Sequence, residues 1–359
     1  MTPASSSPRI VLHVGALKTA STYLQRRMGA NLARLREHGI YLPVLPAVAQ
    51  MAGNAKLLTT ALNRRPTSMF QRAFPNIDVS KLEPAQIVAE LLKDWRPADE
   101  SVVLSDESLR PEHARRLREL LPNTVPCVVV LFVRRQDRWA DSYFNQLVKT
   151  NQSDGNITTF VTRVCEPYDG ELFRPDWYAQ YEGWREVFGN CRVVFYDKVE
   201  SHVFSGFIAA AGLQPVPDLA EIEPAQVSLD IYQLAYLLDL EKPIALSDFL
   251  HRRVASEKAS QRFGRQKVQS LLTSTDLSQL RDRFDASNRR LLSALGREDD
   301  PSLLQLDRAP DSDWYCDLPS VYASEDYCRY QKLADAIYAR RRRHHRLKSL
   351  LKGRLFSAK

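Results

Sequence analysis

Ile10-Val-Leu-His-Val-Gly-Ala-Leu-Lys-Thr-Ala-Ser-Thr-Tyr-Leu-Gln25 is the stretch on which the fold turns. An apolar, β-branched run reaches Val14, a short loop covers Gly15 to Lys18, and a hydroxyl-rich segment then opens a helix. A strand feeding a helix through so short a loop is the first unit of an α/β layer architecture. It is also an anion cradle. The first N–H groups of a helix have no partner inside it, and the helix dipole favours negative charge there. Lys18 adds a full positive charge, and the hydroxyls of Thr19, Ser21 and Thr22 add donors.

Spacing decides which kind of phosphate loop this is. The nucleotide-triphosphate loop G-x-x-x-x-G-K-[ST] is longer, whereas Gly15 stands only three positions before Lys18, and Ala20 follows Thr19 where a glycine would stand. Such a loop is too short to wrap a β,γ-phosphate pair, which disfavours ATP or GTP hydrolysis. A strand–helix junction with an exposed lysine is the plain alternative.

A second stretch repeats the pattern. Cys127-Val-Val-Val-Leu-Phe-Val133 is continuous and β-branched, as expected of a strand buried on both faces of a parallel sheet. It runs into Arg134-Arg-Gln-Asp-Arg-Trp-Ala-Asp-Ser-Tyr-Phe-Asn-Gln146, which has helical periodicity. Arg134 and Ser142 stand eight residues apart, and a guanidinium with a nearby hydroxyl suits a phosphate dianion.

Together the two stretches resemble the sulfotransferase family, and within it the bacterial carbohydrate-type members, whose openings look like H-[IV]-G-x-x-K-[TS]-G-[TS]-[TS]-x-[IL]-Q. Weaker likenesses follow in order: Gly39-Ile-Tyr-Leu-Pro43, the apolar run Ser101-Val-Val-Leu-Ser-Asp-Glu-Ser108, Phe195-Tyr-Asp197 and Phe284-Asp-Ala-Ser-Asn288. The resemblance spans about residues 9 to 305. It implies a three-layer α/β domain with a mostly parallel central sheet, as in sulfotransferases and P-loop NTPases, and strands at 9–14, 101–104, 127–133 and 191–196.

The resemblance also implies a co-substrate, 3′-phosphoadenosine 5′-phosphosulfate, and no metal. Gly15, Lys18, Thr19, Ala20, Ser21 and Thr22 would hold its 5′-phosphosulfate, Arg134 and Ser142 its 3′-phosphate, and Tyr196 would meet the adenine. Lys18 would stabilise charge on the leaving phosphate. Sulfotransferases take the acceptor proton with a Glu or a His; Glu107, just past a strand end where open α/β sheets bind ligands, is the candidate here. An acid stabilising its own helix dipole is the equal alternative for Glu107. His13 reads as a core histidine and His113 as part of an exposed helix. Some relatives carry a His near the position of Asn54, and that departure bears on the base. Gln146 and Lys149 are candidates for the acceptor cleft, with a solvated helix face as the alternative. Ala20 replaces the family's glycine, which is tolerable at negative φ and costly at positive φ; tolerance is the expectation.

Length, at 359 residues, allows one large domain or two, and 44% hydrophobic content suffices for a core. The segments read as a flexible 1–8, a domain over 9–305, and an extension over 306–359. Residues 1–8 hold no apolar segment of a leader peptide. Five scattered cysteines without C-x-x-C spacing read as reduced thiols, so the expected setting is cytoplasmic, with peripheral attachment at the inner membrane face as a further expectation. Residues 329–359 carry eleven Lys or Arg against Asp335 alone, a local +10 in a chain of net +7, so residues 1–328 stand at about −3. Arg340-Arg-Arg-Arg-His-His-Arg346 is followed by Leu347, Leu350, Leu351 and Leu355 at helical spacing. A basic face beside a leucine stripe fits a helix on an anionic membrane, with a solvated tail as the equal alternative. Nucleic acid is the disfavoured partner, because aromatics are sparse there. The expected acceptor is a carbohydrate or glycan-like hydroxyl or amine. A non-catalytic nucleotide-binding or membrane-tethered scaffold is the alternative from another class, and a nucleotide or small-molecule kinase the third.

Overall fold

The computed structural model describes residues 7–15, 17–46, 53–64, 68–153, 155–166, 174–222, 228–240, 244–306 and 315–356, with the side chains of 68, 69, 72 and 345–356 left out. Residues 1–6 of the flexible N-terminus expected from sequence, and Leu347, Leu350, Leu351 and Leu355 of the leucine stripe, therefore lie outside the described parts.

In chain order the first elements are β1 (Ile10–Gly15), α1 (Ser21–Ala30), α2 (Leu32–Glu37), β2 (Ile40–Tyr41), α3 (Lys56–Asn63), α4 (Ser68–Ala73) and α5 (Pro84–Leu92). Next come β3 (Ser101–Ser105), α6 (Ala114–Leu120), β4 (Cys127–Val133), α7 (Gln136–Lys149), α8 (Ile157–Cys165), α9 (Trp177–Phe188), β5 (Cys191–Phe195), α10 (Tyr196–Val199) and α11 (Val203–Ala211). The rest is helical: α12 (Ile231–Leu238), α13 (Leu246–Phe263), α14 (Ser274–Ala294), α15 (Leu318–Ala323) and α16 (Glu325–Phe356).

The five strands form one sheet in the order β2-β3-β1-β4-β5, with every pairing parallel. This is the α/β architecture the two apolar runs predict. The short edge strand β2 is an addition to the expected set. The run expected as a strand to 196 ends at Phe195, where Tyr196 starts a helical turn instead. β1 sits in the middle, with Ile10 opposite Val102 and Cys127 on its two sides. All six of its residues are buried, which explains the unbroken apolar run. Val11, Val103, Val130 and Phe132 face a core shared with Leu24 and Met28 of α1 and Phe204 and Phe207 of α11. α9 packs on β4 and β5, with Trp177 and Trp184 fully buried.

Two compact units emerge. The first comprises 1–139, 173–226 and 284–305 and contains the whole sheet; the second comprises 140–172, 227–283 and 306–359 and is helical. In the second unit α13 packs along α16. Its centre is aromatic: Tyr232, Tyr236, Tyr330 and Phe263 meet ring to ring, and the Tyr330 hydroxyl lies 2.7 Å from Ser256 Oγ. Asp230 caps α12 through the Gln233 amide and accepts the Ser260 hydroxyl at 2.5 Å.

Candidate active site

Gly15 ends β1 where it runs beside Phe132 of β4, at φ +153°. A Cβ there would stand 3.2 Å from both the N and the O of Phe132, so only glycine lets the two strands stay this close. Ala16 lies outside the described residues. The loop then turns through two left-handed, non-glycine residues, Lys18 at φ 70° and Ala20 at φ 62°. Positive φ at Ala20 reverses the expected tolerance: each such residue costs about 1 kcal/mol or more. Ala20 is also the N-cap of α1, and its methyl supplies no cap.

What holds this strained turn comes from the β4–α7 junction. The Trp139 indole Nε1 donates to Leu17 O at 3.1 Å, and the Arg134 Nη1 donates to Lys18 O at 3.3 Å. Two successive carbonyls are thereby drawn toward β4. Across a trans peptide the N–H points opposite to the carbonyl, so the amides of Lys18 and Thr19 are turned the other way. Amides turned to one side by left-handed residues form an anion-binding nest. Ser21 lies at the same place: its hydroxyl is buried and finds no partner among the described residues. Thr19 is buried and Thr22 half-buried beside it.

Arg134 is itself well fixed. Its Nε donates to Asp197 Oδ1 at 3.2 Å, its guanidinium lies 4.8 Å from the Tyr196 ring centre, and its carbonyl accepts the Trp177 indole at 2.7 Å. Asp197 also accepts the Arg135 amide at 3.0 Å. Two of the five guanidinium N–H groups are used in these contacts among the described residues. Burial pushes the Tyr196 hydroxyl up to about 12, so it stays protonated. The residues around Lys18 and around Arg134, far apart in sequence, thus meet within the first unit. Ser142 lies on α7 in the second unit, half-buried. Gln146 and Lys149 lie on the same helix, and burial draws the Lys149 ammonium below its ordinary range.

Glu107 follows β3 in a turn, four residues before the short helical turn at Pro111, so the helix-dipole alternative does not describe it. Its Oε2 accepts the Gln25 Nε2 at 2.9 Å. Gln25 also donates to Ser105 Oγ at 3.1 Å, and Ser105 Oγ lies 2.7 Å from His13 Nδ1. His13 is a fully buried core histidine, edge-on to Phe132 and Phe207, and burial lowers its pKa to about 4. The turn's backbone is pinned from α3. Lys56 Nζ reaches Asp106 Oδ1 at 3.3 Å and Ser108 Oγ at 2.7 Å, and Asn54 brackets Val103 O and Ser105 N. Burial pulls the Lys56 ammonium down, but the carboxylates of buried Asp106 and of Glu107 together outweigh it, and its pKa is raised. His113 is buried too, not on an exposed helix: it bonds Asn63 Oδ1 at 2.9 Å, and burial lowers its pKa.

Sequence reasoning overlooked Lys56, Asp106, Trp139 and Asp197 as site-building residues. Gln25 closed the quoted motif, but its partner could not be read from it. Asp106, Trp139 and Asp197 lie inside quoted stretches, but their partners, like that of Lys56, sit dozens of residues away and leave no mark there.

No family model matches this chain, and no curated protein matches it. Among solved structures it is similar to a sulfotransferase from Alicyclobacillus acidocaldarius, at 16% identity and a TM-score of 0.42, over 79% of this chain and 100% of that one. No helix among the described residues is long and apolar enough to cross a membrane.

Proposed function

We propose that this chain is a sulfotransferase that moves a sulfuryl group from 3′-phosphoadenosine 5′-phosphosulfate to a hydroxyl or amine of a carbohydrate or glycan-like acceptor. The observation that carries the reading is the junction of Arg134 Nη1 with Lys18 O, which joins the two phosphate-type motifs in one place. The buried Ser21 hydroxyl, without a partner among the described residues, and the turned amides of Lys18 and Thr19 fit the oxygens of a 5′-phosphate. Arg134 suits the second phosphate, with the Tyr196 ring behind its guanidinium.

In this reading Glu107 takes the acceptor proton as the acceptor oxygen bonds to sulfur. The sulfur–oxygen bond to the 5′-phosphate breaks, and its electron pair leaves on the phosphate. Lys18 and the loop amides stabilise that developing charge, and fixed positions supply most of the acceleration. The charge comes from the chain's own groups, so the reading calls for no metal. Ser142 keeps the role the resemblance gives it and is tested separately by Ser142→Ala.

Calorimetry with 3′-phosphoadenosine 5′-phosphate tests this. The expected result is binding much tighter than that of ATP with magnesium. Arg134→Ala should weaken it by about 2 kcal/mol, roughly thirtyfold, because a hydrogen-bonded charge is lost. Preference for ATP with magnesium would favour a kinase, and tight binding with no transfer to any acceptor a scaffold.

A further inference from the structure

The helix that opens the phosphate loop also reaches the proposed base. Ser21 and Gln25 stand one turn apart on α1, and both are buried. Residues at this spacing lie on one stripe with Cβ atoms about 6 Å apart. The first has a buried hydroxyl with no partner among the described residues; the second ends on the Glu107 carboxylate at 2.9 Å.

Hydrogen-bond accounting fixes how Gln25 must be oriented. An ionised carboxylate only accepts, so the amide has to turn its Nε2 toward Glu107. The other N–H of the same nitrogen goes to Ser105 Oγ at 3.1 Å. Ser105 Oγ in turn lies 2.7 Å from His13 Nδ1, and the His13 tautomer sets which of the two donates. Low basicity at His13, caused by burial, keeps that ring neutral and able to accept. The chain His13–Ser105–Gln25–Glu107 thus runs from the core outward, with the Gln25 amide oriented by Glu107 and Ser105. Exposure falls to 4% at Gln25, 1% at Ser105 and 0% at His13, so water does not compete for these bonds. In the same turn Lys56, whose charge also interacts with Glu107, binds the side chains of Asp106 and Ser108, and Asp106 accepts the Ser108 amide.

We propose that Gln25 is the positioning residue for Glu107, so that one rigid helix, α1, sets both the donor phosphate and the base that activates the acceptor. This rests on the sulfotransferase reading above. In-line transfer requires the attacking oxygen and the leaving oxygen to be aligned on opposite sides of sulfur. A helix that carries a contact to each side fixes that alignment without relying on a loop.

The test uses the full chain with 3′-phosphoadenosine 5′-phosphosulfate and water as the acceptor, following release of 3′-phosphoadenosine 5′-phosphate, together with calorimetry of the latter compound. Gln25→Met keeps the length and loses the bond. It should bind 3′-phosphoadenosine 5′-phosphate within twofold of wild type, keep KM and lose kcat about tenfold. Gln25→Glu sets two carboxyl groups at hydrogen-bond distance, so they share a proton, and the acid limb of the rate profile moves to higher pH. An unchanged kcat in Gln25→Met, or an unmoved acid limb in Gln25→Glu, overturns the positioning role alone. Failure of the wild type to bind 3′-phosphoadenosine 5′-phosphate overturns the underlying reading instead. If the wild type binds but does not turn over, carbon-13 carboxyl titration of Gln25→Glu decides. A raised carboxyl that vanishes in Gln25→Glu/Glu107→Gln supports the contact, and two independently titrating carboxyls overturn it.

Discussion

Ala20 sits at φ 62°, next but one to Lys18 at φ 70°, in the loop that would meet the donor phosphate. An L-residue resists that conformation because its Cβ crowds the backbone, and glycine does not. The strain persists because Trp139 and Arg134 grip the successive carbonyls of Leu17 and Lys18 just before Ala20. Ala20→Gly should therefore raise stability by about 1 kcal/mol, the relief of strain less the extra freedom of glycine in the unfolded chain. Denaturant unfolding checks this; an equal or lower midpoint would mean that the turn is not strained at this residue. The same comparison explains why this departure from the family's glycine is legible in sequence while its sign is not: φ is a property of the folded loop.

α16 is an element whose two ends differ. Its first half is structural: Tyr330, Ala334 and Tyr338 are buried, Arg252 lies 4.2 Å from the Tyr338 ring centre, and Asp335 accepts the Tyr236 hydroxyl at 2.8 Å. Removing residues 329–359 would thus strip the aromatic core of the second unit along with the basic run. The run Arg340–Arg343, mostly exposed, can be altered without that damage. If it binds an anionic membrane, replacing all four arginines with glutamine should abolish sedimentation with phosphatidylserine vesicles at low salt. Each basic residue near such a surface contributes about 1 kcal/mol. Neutral phosphatidylcholine vesicles should bind neither protein. Identical partitioning of wild type and variant on the anionic vesicles would remove the membrane expectation.

Stability of the whole first unit should carry the mark of His13. Its folded pKa stands at about 4, below the ordinary 6.5, because burial penalises the charged ring while Asp106 only partly opposes this. Between those values the unfolded chain binds the proton more readily than the folded one. The contribution is complete above pH 6.5 and is lost as pH falls toward 4, roughly 3 kcal/mol in all and about 2 between pH 7 and 5. Four of the five tryptophans, Trp95, Trp139, Trp177 and Trp184, belong to this unit and Trp314 to the second, so tryptophan fluorescence of a Trp314→Phe background follows its unfolding. The loss between pH 7 and 5 should be smaller by about that amount in His13→Asn, since other titrating groups remain; an equal loss in both proteins would show that His13 titrates normally.

By itself the sequence determined the α/β class and the places of β1, β3 and β4, because a strand buried on both faces must be apolar throughout, and a run such as Cys127–Val133 has no other reading. It also placed the loop Gly15–Thr22 between β1 and α1 and the arginine after β4, since those depend on residues adjacent in the chain. Only the tertiary structure decided what these residues meet. That Arg134 reaches Lys18, that Gln25 ends on Glu107, that Lys56 pins Asp106, and that His113 is buried are products of strand order and helix packing. A local pattern encodes the conformation of its own segment; hydrogen bonds between segments 80 or more residues apart, such as Gln25 to Glu107, exist only once the parallel sheet has brought the strand ends together.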